Sequence, residues 1–172
     1  MASTYTTNLG IEKPATGDRS GTWGTMTNTN FDLVDEAVNG VLEKTLSATG
    51  SSGSPNTLAI TDGSSSDGRN QSIDFKDAGD IGGTVYVQLT PNDAEKVCHV
   101  RNSLSGSRSI LLFQGTYNSS RDLELENGKD YLVKFSGGGA SSSTVTNLLT
   151  NVAVASLTNA GAYTGGGLMT TG

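Results

Sequence analysis

Few residues in this chain could do chemistry, and their spacing decides most of what they could do. His99, the only histidine, directly follows Cys98, the only cysteine. On a strand successive side chains point to opposite faces, so the two cannot form a nucleophile–base dyad with each other. Cys98 reads as a small core residue and His99 as a surface one. A single histidine also falls short of the usual zinc ligand sets, which need several His or Cys. Asp122, Glu124 and Glu126 alternate with Leu123 and Leu125. A glycosidase needs two carboxyl groups about 5–9.5 Å apart in a cleft, one of them kept protonated. Acids alternating with leucines read instead as the wet face of a strand. Asp74, Asp77 and Asp80 cluster, but without the spacing or the closing Glu of an EF-hand loop; a surface cluster is one reading and a weak calcium site the alternative. No phosphate-cradling glycine loop and no Gly-x-Ser-x-Gly elbow is present. The chain therefore reads as a non-enzyme with no catalytic residues, no cofactor and no metal site.

The elements that would have to position such groups are built from unusual material. Gly, Ser, Thr and Asn make up 79 of 172 residues, while 34% is apolar and 16% charged. Globular domains run near 45–50% apolar and about 25% charged, so a monomer of this composition is short of core. Disorder is the other reading of low hydrophobicity, but it goes with high net charge and a loss of β-branched residues. Here Thr is plentiful, Val is well represented and the net charge is −6. The chain reads as β-rich and completed by association. Eleven basic against 17 acidic residues, with no basic run, argue against nucleic acid. The opening MASTYTTNLG has neither a basic nor an apolar region of a secretory signal, and no stretch approaches the roughly 18 apolar residues of a membrane span. One cysteine agrees with a reducing compartment, so synthesis and assembly in the cytosol are expected.

Three segments follow along the chain. Residues 1–28, punctuated by Pro14 and by Gly10, Gly17, Gly21 and Gly24, read as an extended arm. Trp23 on that arm either folds back on its own chain or anchors the arm in another subunit, where Trp is favoured as a hot spot. A helix follows, capped by Thr29 or Asn30, with Asp32 and Asp35 early where acids favour the helix dipole, and ending near Gly40. Phe31, Val34, Val38 and Val41 are spaced three, four and three, an a/d seam too short to stand alone in water. It packs either on its own domain or on symmetry mates. Arm and helix thus take up residues 1–43.

From 44 to 136, eight short strands are expected at 44–48, 57–61, 72–75, 84–89, 96–101, 109–113, 121–126 and 131–135, separated by turn-forming runs. They read as an antiparallel β-sandwich or jelly-roll-like domain. Pairing 125 with 131 and 123 with 133 across a three-residue loop would close the last hairpin. Residues 137–172 form a Gly/Ser-rich linker and C-terminal arm, with one apolar stretch, 145–157, that suits an edge strand or an intersubunit one. The fold class expected is mainly β.

Two blocks carry a resemblance. Leu9-Gly10, Pro14, Gly17, Ser20-Gly21-Thr22-Trp23-Gly24, Asn28, Asn30-Phe31-Asp32-Leu33-Val34-Asp35, Ala37 and Gly40 form the first. The second holds Asp62-Gly63, Arg69-Asn70, Phe75, residues 85–91 and 97–102, Gly128-Lys129 and Phe135. Together, over roughly 130 residues, they resemble bacteriophage tail-fibre and related tail-associated virion proteins of marine and cyanobacterial type. The resemblance implies a homotrimer in the virion tail, fixed through its N-terminal region to adaptor or nozzle proteins. Its distal part would support host adsorption, through a further fibre protein or a host surface glycan. Trp23, Asn30, Phe31 and Asp35 would then lie in the anchoring region, with Val34, Val38 and Val41 as the assembly seam. The departure is at the C-terminus, where a Gly-rich run stands in place of a long shaft. A glycan-binding module, with Tyr86, Tyr117 or Tyr131 lining a pocket, is the alternative function.

Overall fold

The computed structural model describes residues 2–150. A two-residue hairpin, β1 (Thr4–Tyr5) with β2 (Glu12–Lys13), precedes α1 (Trp23–Asn39). The body follows as β3 (Val41–Leu46), β4 (Asn56–Ala59), β5 (Ser72–Asp77), β6 (Val85–Thr90), β7 (Glu95–Asn102), β8 (Ile110–Gln114), β9 (Leu123–Leu125), β10 (Asp130–Ser136) and β11 (Val145–Asn147). All eight strands expected between 44 and 136 are present, and the fold is mainly β.

The pairing differs from the antiparallel expectation. One sheet has the order β11-β10-β7-β5-β3 and the other β4-β6-β8-β9. From β3 to β8 the chain alternates between the sheets, so that β3, β5 and β7 pair in parallel, as do β4, β6 and β8. The result is three turns of a two-sheet coil. Within these two sheets, among the described residues, only β9, β10 and β11 run antiparallel to their neighbours, and they close the far end. The physical reason lies in what alternation reports: one wet face and one buried face. A coil whose sheets each have one wet face demands the same pattern as an antiparallel sandwich, and turns that cross between sheets need not reverse the chain within one.

Between the sheets lies a single core. Ile73, Phe75, Val100, Val133 and Phe135 from one sheet meet Leu58, Val85, Leu89, Ile110, Leu112 and Leu125 from the other. Leu123 and Tyr131 pack on this core half-buried, so the four residues of the expected hairpin do face inward together. They do so from opposite sheets: β9 pairs with β8, Ile110 opposite Leu125, and β10 with β7, Tyr131 opposite Val100. The 126–129 turn carries the chain across the core rather than back along one sheet.

The N-terminal hairpin and the 136–143 run are more tightly held than composition suggests. The 1–28 segment is not an extended arm. Its hairpin docks on the 61–63 turn, where Gly63 N–H donates to the Gly10 carbonyl at 2.7 Å, and Asn8 Oδ1 accepts from Glu95 N–H at 2.9 Å. Gly10 sits there at φ +58 with Asp62 against it, a close approach that a Cβ would obstruct. The Gly/Ser run is likewise folded: Ser143 is buried, its hydroxyl donating to the carbonyls of Asn92 and Gly139. Gly137 N–H reaches Gln114 Oε1 at 3.0 Å. The apolar stretch from 145 begins as the edge strand β11; its remainder beyond 150 lies outside the described residues.

Candidate functional site

The helix α1 starts at Trp23, not at Thr29 or Asn30, so Asp32 and Asp35 lie in its middle rather than in its first turn. Its buried face explains the earlier start. Met26 and Leu33 are covered by the body, and Asn30 is taken up by another task. The Asn30 amide donates to the Glu12 carbonyl at 2.9 Å and accepts from Glu12 N–H at 3.1 Å, pairing with β2 as a neighbouring strand would. Asn30 thus fastens the N-terminal hairpin to α1. The helix ends at Gly40, whose N–H donates to the Glu36 carbonyl. A Cβ on Gly40 would collide with that carbonyl and with the Asn70 side chain. Val41 accordingly belongs to β3, not to the helix.

A polar network fixes α1 to the body. Arg69, in a single 3-10 turn (Asp67–Arg69), is fully buried. Its Nη2 donates to the carbonyls of Thr61 at 2.6 Å and Ser64 at 2.9 Å, and its Nε lies 3.4 Å from Glu36 Oε2. Burial pushes the Arg69 pKa down while the Glu36 carboxylate pulls it back up. Glu36 Oε1 in turn accepts from the Ser65 hydroxyl, Ser66 N–H and the Asn70 amide at 3.1–3.3 Å. An open cleft of about 540 Å³ runs between α1 and this turn, lined in part by Asp32, Glu36, Asp67 and Asn70. Asp67 is paired with Lys44. Among the described residues no group of three His, Cys, Asp or Glu is arranged to hold a metal ion.

One exposed flank of α1 is apolar, while Asn28, Asp32, Asp35 and Asn39 are exposed on the side opposite the body. At 3.6 residues per turn, Trp23, Phe31, Val34 and Val38 fall within about a quarter of the circumference, roughly a third of a turn from Met26 and Leu33. Trp23 is 62% exposed, Phe31 67%, Val38 61% and Val41, the first residue of β3, 76%. Packing of the seam on its own body is therefore not what the structure shows, and Trp23 does not fold back on the chain. Asp35 borders the stripe, exposed, accepting from Asn39 at 3.2 Å.

The other candidates are dispersed. Asp77 accepts from Ser105 N–H and hydroxyl, and Asp80 accepts two guanidinium hydrogen bonds from Arg108 at 2.7 and 2.8 Å. With Gly82 N–H also donating, the Asp80 carboxyl is held down at about 2. Asp77 and Asp80 hence serve separate contacts, and Asp74 lies 3.8 Å from Lys76. Leu125 is buried while Glu124 and Glu126 are exposed, the wet-face arrangement. Tyr86 and Tyr117 meet edge to face at 5.4 Å, as do Phe113 and Tyr117 at 5.5 Å. Tyr131 packs elsewhere, its hydroxyl accepting from Glu126 N–H. The three tyrosines do not line one pocket.

Cys98 is buried, and burial raises its thiol pKa to about 11. His99 instead completes an arrangement that lies outside the sequence motifs. Its Nδ1 is 2.8 Å from Ser72 Oγ and its Nε2 2.9 Å from Asp130 Oδ1. These are the residue types of a serine-hydrolase triad, drawn together from β5, β7 and β10. Only strand register could have revealed them. The surroundings do not suit acyl transfer: His99 and Asp130 are well exposed on a sheet face, and Arg101 shares Asp130. Ser72 N–H, a nearby donor an oxyanion would need, is committed to the Gly40 carbonyl. A fluorophosphonate probe should accordingly leave Ser72 unmodified over hours; labelling abolished by Ser72→Ala would identify an activated nucleophile.

Comparisons of the chain with family models, curated proteins and solved structures found no match.

Proposed function

We propose that this chain is a structural subunit of a phage virion, a tail-fibre or fibre-anchoring protein that assembles as a homotrimer and acts by assembly rather than catalysis. The observation that carries the reading is the apolar stripe Trp23–Phe31–Val34–Val38, left uncovered on a helix whose Met26 and Leu33 are buried. A contiguous exposed apolar patch on an otherwise polar chain marks an interaction site, and its heptad spacing suits another helix of the same kind. The resemblance of residues 9–40 to tail-attachment segments supplies the setting: assembly in the host cytoplasm, docking to adaptor or nozzle proteins, and support of host adsorption.

Sedimentation of the purified chain tests it. A trimer mass is expected, falling to monomer when Phe31→Asp and Val38→Asp are combined, because each carboxylate would be buried unpaired in the seam. The chain should also be found in purified particles. A monomer at high concentration that is absent from virions would refute the proposal. Binding of saccharides lost on Tyr86→Ala or Tyr117→Ala would favour the glycan-binding alternative.

A further inference from the structure

Two positive groups are closed in where α1 meets the body. Arg69 is fully buried with its Nε and Nη1 unpartnered. Lys96, turned inward from β7, donates from its Nζ to the Arg69 carbonyl at 2.7 Å. Burial pushes the pKa of each down. Among the described residues Glu36 is the only carboxylate within ion-pair distance of either. A buried donor without a partner has given up its hydration and received nothing in return, so the closed contact carries a penalty that water would relieve once α1 lifted.

Little apolar packing offsets that penalty. Met26 and Leu33 are buried but stand outside the core between the sheets, and of the elements of the body α1 contacts chiefly the 3-10 turn at 67–69. Much of the attachment is polar: the Glu36 network, the Gly63–Gly10 hydrogen bond and the one from Glu95 N–H to Asn8. The Asn30–Glu12 pair joins helix to hairpin and would travel with them. Segments held by few buried apolar contacts open at lower free energy than core strands do. The chain passes from α1 to β3 through Gly40 alone, a single junction about which residues 2–39 can turn. We infer that the N-terminal hairpin and α1 form a clasp that opens from the coil as one unit at Gly40, with Glu36 on Arg69 as its latch. Opening enlarges what the helix can offer. Leu33 and Met26 share with Trp23, Val34, Val38 and Phe31 one arc of less than half the circumference; the closed clasp shows one flank of it, the open clasp the whole. The inference stands on the packing of α1 and holds equally for a chain that never self-associates.

Native-state hydrogen exchange of the full chain tests it, read over a range of concentrations so that protection by self-association is separated from protection by the clasp. Amides at 27–39 should exchange together, at least about 100-fold faster than those of β6 and β8. Their denaturant dependence should be shallow, since opening exposes little surface. Glu36→Ala, which releases the latch, should speed 27–39 at least about tenfold further. Asn102→Leu gives the sharper reading, because Asn102 is buried at the far end of β7 and the coil stays closed in both forms of the clasp. It should speed exchange in β6 and β8 at least about tenfold and leave 27–39 unchanged. Exchange at 27–39 that keeps pace with β6 and β8 in the parent, that Glu36→Ala leaves unchanged, or that Asn102→Leu speeds as much as the strands, overturns the inference: the helix then opens only with the whole chain. Should Asn102→Leu fail to fold, the parent decides alone, and a denaturant slope at 27–39 equal to that of β6 and β8 overturns it.

Discussion

Glu36→Ala should cost about 1–3 kcal/mol of folding stability, the loss expected when a half-buried carboxylate is removed and the buried polar groups it satisfied are left behind. Its charged partner is Arg69, which no water reaches. Two backbone carbonyls hold its Nη2, but Nε and Nη1 find no hydrogen-bond acceptor, and the charge is offset chiefly by the Glu36 carboxylate at 3.4 Å, with a smaller contribution from Asp62. The same substitution frees the Ser65 hydroxyl, Ser66 N–H and the Asn70 amide. Urea unfolding monitored by circular dichroism measures the loss as a shift in midpoint at constant slope. Combining Glu36→Ala with Arg69→Met should recover much of it, because a buried pair replaced as a whole is often near neutral. A single-variant loss below about 1 kcal/mol would show that Leu33 and Met26, with the Asn30 hydrogen bonds, suffice to hold the helix. Since α1 is tied to the 65–70 segment by this network, Glu36→Ala should also loosen the stripe and reduce self-association of the folded fraction.

How much of this was legible beforehand differs from element to element. The strands were legible because alternation of Val85, Val87 and Leu89 with Tyr86, Gln88 and Thr90 reports a one-sided sheet. Their parallel pairing was not, since that pattern is the same whichever way the neighbour runs. In α1 the seam Phe31, Val34 and Val38 is the stronger periodic signal, yet it marks an exposed flank. The face that holds the helix uses Met26, Leu33, Asn30 and Glu36, a mixture of apolar and polar side chains that hydrophobic periodicity passes over. The helix start escapes the pattern too: Gly24 and Asn28 are poor helix formers, and burial of Met26 outweighs them. Glycine and serine at 136–143 read as a linker by composition, whereas carbonyl and hydroxyl contacts to Asn92 and Gln114 are invisible without the fold. The Ser72–His99–Asp130 row shows the same limit at the level of chemistry, because its members lie far apart in sequence and meet only through register.

Asn102→Leu, a change of little volume, should destabilise the body by at least about 3 kcal/mol, since each buried group left without a partner costs about 1–3 kcal/mol. Asn102 is fully buried at the end of β7. Its amide donates to the carbonyls of Arg108 and Leu125, both at 2.9 Å, and its carbonyl oxygen accepts from Leu104 N–H at 3.1 Å. Leu125 belongs to the opposite sheet, so one side chain joins the two sheets where the parallel coil gives way to its antiparallel end. Leucine fits the space and abandons all three groups at once. Asn102→Asp should fare worse still, because it loses both donated hydrogen bonds and buries a charge. Thermal unfolding checks the order, parent above Leu above Asp. Sedimentation then separates this residue from Glu36. Asn102 does not touch α1, so the variant that folds should assemble as the parent does. An Asn102→Leu protein that is folded but monomeric would mean that assembly depends on the closed end of the coil, and that the helix stripe is not what holds the copies together.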